Sequence, residues 1–180
     1  MLPAKILRLF QSISPNACES EYNGSYNKLL YSFFPFERDF VVTPFYLPDL
    51  EGDVIVMFEV LLFNKPVFIV EVNHAIRYRL SFARRFADDK IRTRMGDLVG
   101  RCPLETLHGI CAFGTKLCFY SLDARNDNAA IVPTAIPQDY TAMSNATLES
   151  RWDSDILEAS GEERFHAIVE EIKAGRAGFV

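Results

Sequence analysis

The chain has 180 residues and a formal net charge of −5, with 24 Asp and Glu against 19 Lys and Arg. Hydrophobic residues make up 49% of it and aromatic residues 13%, with 15 Phe and 7 Tyr, which excludes general disorder and supplies apolar side chains for one proper core. A charge interrupts every apolar run well short of the roughly 18 residues that a membrane span needs, so no membrane partner is expected.

One domain is expected over 1–180, with 1–18 as an N-terminal extension. Within Met1–Ser14, the basic Lys5 and Arg8 and the apolar Ile6, Leu7 and Phe10 suggest a short amphipathic helix, whose apolar stretch is too short and too interrupted for a secretory signal. Tyr22, Tyr26, Leu29, Leu30 and Phe33 recur at helical spacing up to Pro35, which predicts a helix over Glu19–Phe33. Phe40–Tyr46 reads as a strand ending near Pro48. Asp49–Gly52 reads as a turn, and a second strand starts at Asp53. Asn64-Lys65-Pro66 closes a hairpin into a third strand. The spacing of Ala83, Phe86, Ala87, Ile91, Met95, Leu98 and Val99 predicts a long helix over Leu80–Val99 with one buried stripe. Two more strands follow over Thr106–Leu122, turning at Gly114-Thr115. Residues 124–150, with Pro133 and Pro137, read as a long connection. A closing helix is expected over about 160–175, capped by Ser160, with Phe165, Ile168, Val169 and Ile172 as its buried face.

Cys18, Cys102, Cys111 and Cys118 form no C-x-x-C pair. They are expected as buried free thiols of an intracellular protein, in cytoplasm or nucleus, rather than as zinc ligands. No G-x-S-x-G, P-loop or H-E-x-x-H motif is present, so Ser or Cys nucleophile chemistry has no specific support.

The chemistry lies in two apolar strands that carry acids. Asp53 opens the first, and Glu71 sits between Val70 and Val72 in the second. Burying an unpaired carboxylate costs several kcal/mol, so Glu71 needs a cation, a metal or a proton beside it. Strand alternation puts Glu71 and Asn73 on one face, and the hairpin brings Asp53 toward the same end of the sheet. Two carboxylates and an amide oxygen are donors that suit a hard cation such as Mg²⁺. The competing structural reading pairs Glu71 with an arginine of the long helix and leaves Asp53 as a turn cap. Glu59, on the Asp53 side of its strand, is a second candidate for a buried acid.

The order helix, three strands, helix, two strands, helix, taken with Tyr26-Asn27-Lys28-Leu29-Leu30-Tyr31, Val67-Phe68-Ile69-Val70-Glu71-Val72, Asp97-Leu98-Val99, Leu107-His108-Gly109 and Gly114–Tyr120, resembles the PD-(D/E)XK nuclease-like superfamily. In particular it is similar to a group of uncharacterised proteins of mushroom-forming fungi, over about residues 19–175. The resemblance implies an α/β (α+β) fold with a restriction-endonuclease-like core, a central mixed sheet of about five strands flanked by helices. It also implies hydrolysis of phosphodiester bonds in DNA or RNA, dependent on Mg²⁺ or Mn²⁺. Asp53 and Glu71 would hold the metal, with Glu21 assisting from the first helix. The motif lysine is replaced by Asn73, which can hydrogen-bond and position water but carries no positive charge. Lys90, with Arg94 on the next turn, would then supply the cation from the covering helix, and His74 is the other substitute.

Charge segregates along the chain. Between Arg77 and Arg101, seven Arg and one Lys face only Asp88, Asp89 and Asp97. This suits a basic surface for nucleic acid carried by Arg84, Arg85, Arg92 and Arg94. The alternative is a solvated helix face, with Arg84 or Arg85 paired to Asp88 or Asp89. The competing class of function is a catalytically inactive binding or interaction module on the same fold, serving a protein partner or a homodimer.

Overall fold

A computed structural model describes residues 2–14, 17–48, 54–137 and 150–179. Among them, α1 (Ala4–Gln11) and α2 (Glu19–Phe33) precede three strands, β1 (Phe40–Pro48), β2 (Val54–Leu62) and β3 (Lys65–Asn73). A 3-10 turn, Ala75–Arg79, leads into α3 (Ser81–Val99). Strands β4 (Thr106–Phe113) and β5 (Lys116–Asp123), the two-residue β6 (Ser154–Asp155) and α4 (Ala159–Arg176) complete the chain.

The six strands form one sheet in chain order, antiparallel throughout except that β3 and β4 run parallel. A parallel pair needs a crossover, and α3 supplies it. The expected α+β fold with a mixed sheet is therefore present, with six strands rather than five. The sixth, β6, pairs only Ser154 and Asp155 with Leu117 and Lys116, too short a run for any alternation to show in sequence.

Local chemistry explains the turns. Phe63 and Asn64 both take positive φ, 49° and 62°, as a type I′ hairpin requires. The ladder between β2 and β3 slips by one residue beside Pro66, which has no N–H to give it. Gly114 turns β4 into β5 at φ 62°, and its carbonyl accepts the Tyr26 hydroxyl of α2 at 2.7 Å. On the outer strand, Tyr31 donates to the Val42 carbonyl and Pro44 lacks an amide hydrogen, which blunts the sheet edge against further pairing.

The sheet is covered on both faces. On one, Phe68 of β3 meets Phe34, the residue that ends α2, and Phe165 of α4 at ring distances of 5.9 and 6.1 Å. The other carries α3, whose Ala83, Ala87, Ile91, Met95 and Leu98 are buried as the spacing required, while Phe86 and Val99 are half-buried. The same face of α3 also buries two charges that its apolar stripe did not announce, Arg84 and Asp88. The closing helix starts earlier than expected. Glu158 rather than Ser160 is its N-cap residue, and no side chain caps it. The four cysteines are free, as expected, and Cys102, Cys111 and Cys118 are buried. No described helix is long and apolar enough to cross a membrane.

Candidate functional site

Glu71 lies in the middle of the face under α3, entirely out of solvent. Its neighbours in register are Met57 on β2 and Cys111 on β4. The Nζ of Lys90, on the helix above, stands 3.2 Å from Glu71 Oε1. The ion pair is close, and Asn73 lies beside the same carboxylate. Burial pushes the Glu71 carboxyl above its ordinary value, and the Lys90 charge pulls it part of the way back. Lys90 itself is mostly covered, with 16% of its side chain exposed and its ammonium 5.1 Å from the Phe86 ring.

Asn73, two residues along β3, shares this face and is also buried. Its amide nitrogen donates to Cys111 Sγ at 3.5 Å and to the Ala112 carbonyl at 3.4 Å. Asn73 therefore ties β3 to β4 beside Glu71. The Cys111 thiol is held protonated by burial, with Glu71 adding to the effect, which makes it a packing group rather than a nucleophile.

The residues expected around this pair divide clearly. Asp53 lies outside the described residues, immediately before β2, whose first residues pair near the Glu71 and Asn73 end of β3. Glu21 is exposed, and its carboxylate accepts the Cys18 amide at 3.3 Å in the capping box of α2. That is a helix-end role, and its described contacts lie there rather than at Glu71. His74 turns to the chain instead, its Nδ1 accepting the Ile76 amide.

The arginines expected to form a basic surface are largely turned inward. Arg84 is wholly buried and donates to the Tyr78 carbonyl. Arg92 Nε meets Asp88 Oδ2 at 2.7 Å, and the same guanidinium donates to the Ile131 and Pro133 carbonyls of the long connection. Arg94 clasps Glu59 of β2, with Nε 2.5 Å from Oε1. Arg85 is half-buried. The charge surplus of α3 thus serves to neutralise acids beneath the helix more than to build an outer face. Asp88 bonds forward to Arg92.

Sequence reasoning missed Asp88. It is wholly buried and accepts from Arg92, from the Tyr120 hydroxyl at 2.9 Å and from the Ile136 amide at 3.0 Å, with Arg151 at 3.7 Å. This node fastens the long connection and Arg151 to α3. The signal for it was position, because Asp88 directly follows Ala87 on the buried stripe.

A divalent cation suits the described donors in part. Glu71 offers two hard carboxylate oxygens, in a place where one positive charge is already held. The second carboxylate expected for it is Asp53, and among the described residues no group of three His, Cys, Asp or Glu side chains could hold a metal. At the far end of β4, His108 Nε2 stands 3.0 Å from Glu171 of α4, beside a cavity lined also by Thr106 and Leu104. No family model, curated protein or solved structure matches the chain.

Proposed function

We propose that the protein is a nuclease-like hydrolase of phosphodiester bonds in DNA or RNA, with Glu71 and Asp53 as its metal-holding carboxylates and Lys90 in the place of the motif lysine. The observation that carries this reading is the 3.2 Å approach of Lys90 Nζ to Glu71 Oε1, on the sheet face shared with Asn73. A lysine brought in from the covering helix restores the positive charge that Asn73 cannot supply.

Bound Mg²⁺ or Mn²⁺ would polarise the phosphate and acidify a water. The chain's own groups do the rest. Lys90 neutralises the charge that accumulates on the phosphate oxygens as the water oxygen bonds to phosphorus and the ester P–O bond breaks. Glu71 is the partner that Lys90 exchanges for phosphate. Asn73 holds β3 and β4 in register under this pair and acts as a positioning residue.

The test is cleavage of labelled DNA and RNA with Mn²⁺ or Mg²⁺, by the full chain and by Glu71→Gln. Divalent-dependent cleavage that falls by about 10²-fold or more in the variant is the expected result. A second reading has its own observation. The pairs Glu59–Arg94 and Asp88–Arg92 already satisfy charges that a nucleic-acid surface would present, which favours an interaction module for a protein partner or a homodimer. No cleavage, with the fold intact, would decide for that reading.

A further inference from the structure

We propose that the cavity where the β2–β3 turn meets the end of α3 binds a polyphosphate anion, held by Lys65, Arg101 and Arg125. The site does not rest on the phosphodiesterase reading. Lys65 opens β3 and Glu71 lies six residues further along it, which puts the two about 20 Å apart.

Three segments distant in sequence line this cavity of about 710 Å³, namely Phe63-Asn64-Lys65, Gly100–Pro103 and Arg125. Local geometry holds each of them. The type I′ turn sets Lys65 opposite Leu62, and the Phe63 amide donates to the Asp39 carbonyl at 3.2 Å. Where the chain leaves α3, the Arg101 and Cys102 amides donate back to the Leu98 and Val99 carbonyls at 2.9 and 3.0 Å. Arg125 is tied to the same bend, its Nη2 donating to the Pro103 carbonyl at 3.0 Å.

Charge gives the class of ligand. The lining carries Lys65, Arg101 and Arg125 and no Asp or Glu. Among the described residues, none of these three cations is in an ion pair. The nearby acids are engaged elsewhere, Asp39 with Arg176 at 2.9 Å and Asp123 with the Arg125 main-chain amide at 2.8 Å. Like charges around one concavity repel, and an anion seated among them converts that repulsion into binding, even in a chain of net charge −5. Arg125 also borders two adjoining cavities that carry Glu105, so the anion belongs on the Lys65 and Arg101 side. Cations drawn from separate segments suit a chain of phosphates better than a single one, and a guanidinium fork matches phosphate oxygens. The Phe63 ring, 46% exposed, lines the same cavity beside Asn64. A ring open to stacking and an amide able to meet a base edge favour a nucleotide as the source of the phosphates.

Calorimetric titration of the full chain with ATP and with inorganic tripolyphosphate, both in EDTA, tests this. Saturable binding that weakens with salt is expected, with Lys65→Glu and Arg101→Glu each costing about tenfold or more in affinity and Arg101→Lys much less. The two ligands separate the sources. ATP binding tighter than tripolyphosphate, by an excess of about fivefold or more that Phe63→Ala removes, upholds a nucleotide. Equal affinities that Phe63→Ala leaves alone uphold an inorganic polyphosphate. Binding of neither ligand, or isotherms that both charge reversals leave unchanged, would overturn the proposal. Oligothymidine bound more tightly than ATP, and lost in the same charge reversals, would overturn it in favour of a nucleic-acid surface.

Discussion

Lys90→Met is expected to destabilise the folded protein by about 3–5 kcal/mol at neutral pH, the usual cost of leaving one member of a buried ion pair alone. Glu71 is wholly buried, and the Lys90 ammonium at 3.2 Å is the compensation the structure gives it. The pH dependence identifies the cause. Burial raises the Glu71 carboxyl above its ordinary value of 4.5, so the folded state keeps a proton that the unfolded chain has released. Stability from this group is therefore greatest in acid and declines as pH rises from 4.5 to the raised value, then levels off. Removing Lys90 removes the main opposing influence, which lifts the carboxyl further and extends the decline to higher pH. The deficit of Lys90→Met should consequently shrink toward acid pH, where Glu71 is protonated in both states. The double variant Lys90→Met/Glu71→Gln should recover most of the loss, because no charge is then left buried. Urea unfolding at several pH values measures all of this. An equal deficit in acid and at neutral pH would mean that lost packing of the lysine stem, and not the charge, is responsible.

Gly161→Ala is expected to cost about 3 kcal/mol or more, against the usual effect of this substitution in a helix. A Cβ built at Gly161 would lie 2.0 Å from the Asp155 carbonyl oxygen and 2.6 Å from its carbon, both backbone atoms that cannot swing aside. Asp155 is itself pinned. Its carboxylate accepts the Thr115 hydroxyl at 2.8 Å and the Leu157 amide at 3.0 Å, and the Ile156 amide bonds to the Thr115 carbonyl. The first turn of α4 thus rests on the main chain of β6, and relieving the clash means moving the helix off the sheet. Gly96 supplies the contrast, since it lies in α3 with nothing within 4 Å of its Cβ position. Gly96→Ala should stabilise by about 0.5–1 kcal/mol through the reduced freedom of the unfolded chain. Thermal or urea unfolding of the two variants side by side should show opposite signs, and a neutral Gly161→Ala would show that β6 is not held in this way.

Periodic features were legible in the sequence. Period 3.6 marked α2 from Glu19 to Phe33 and α3 nearly to its ends, and period two put Glu71 and Asn73 on the face that α3 covers. Pro35 and Gly114 marked where elements stop or turn. What remained hidden depends on contacts between segments distant in sequence. β6 is two residues long and exists because Ser154 and Asp155 meet β5. Asp88 looks like a solvated helix acid until Tyr120, Ile136 and Arg151 are brought to it from far along the chain. The arginines of α3 look like a surface for the same reason, because Glu59 and the carbonyls of Ile131 and Pro133 cannot be placed beside them from spacing. Around Glu71, alternation fixed the face of the acid, but which cation on α3 would reach it was open until the helix was set over the sheet.

On the proposed function, Glu71 is kept as a ligand for a divalent cation and not merely as a partner for Lys90. Calorimetric titration of the metal-free full chain with Mn²⁺ tests it most directly, with Glu71→Gln as the comparison and circular dichroism confirming that both are folded. A saturable isotherm for the wild-type chain that is lost in Glu71→Gln is the predicted result. No binding by the wild-type chain, or an isotherm that Glu71→Gln leaves unchanged, would contradict the claim and leave the pair as a structural ion bridge.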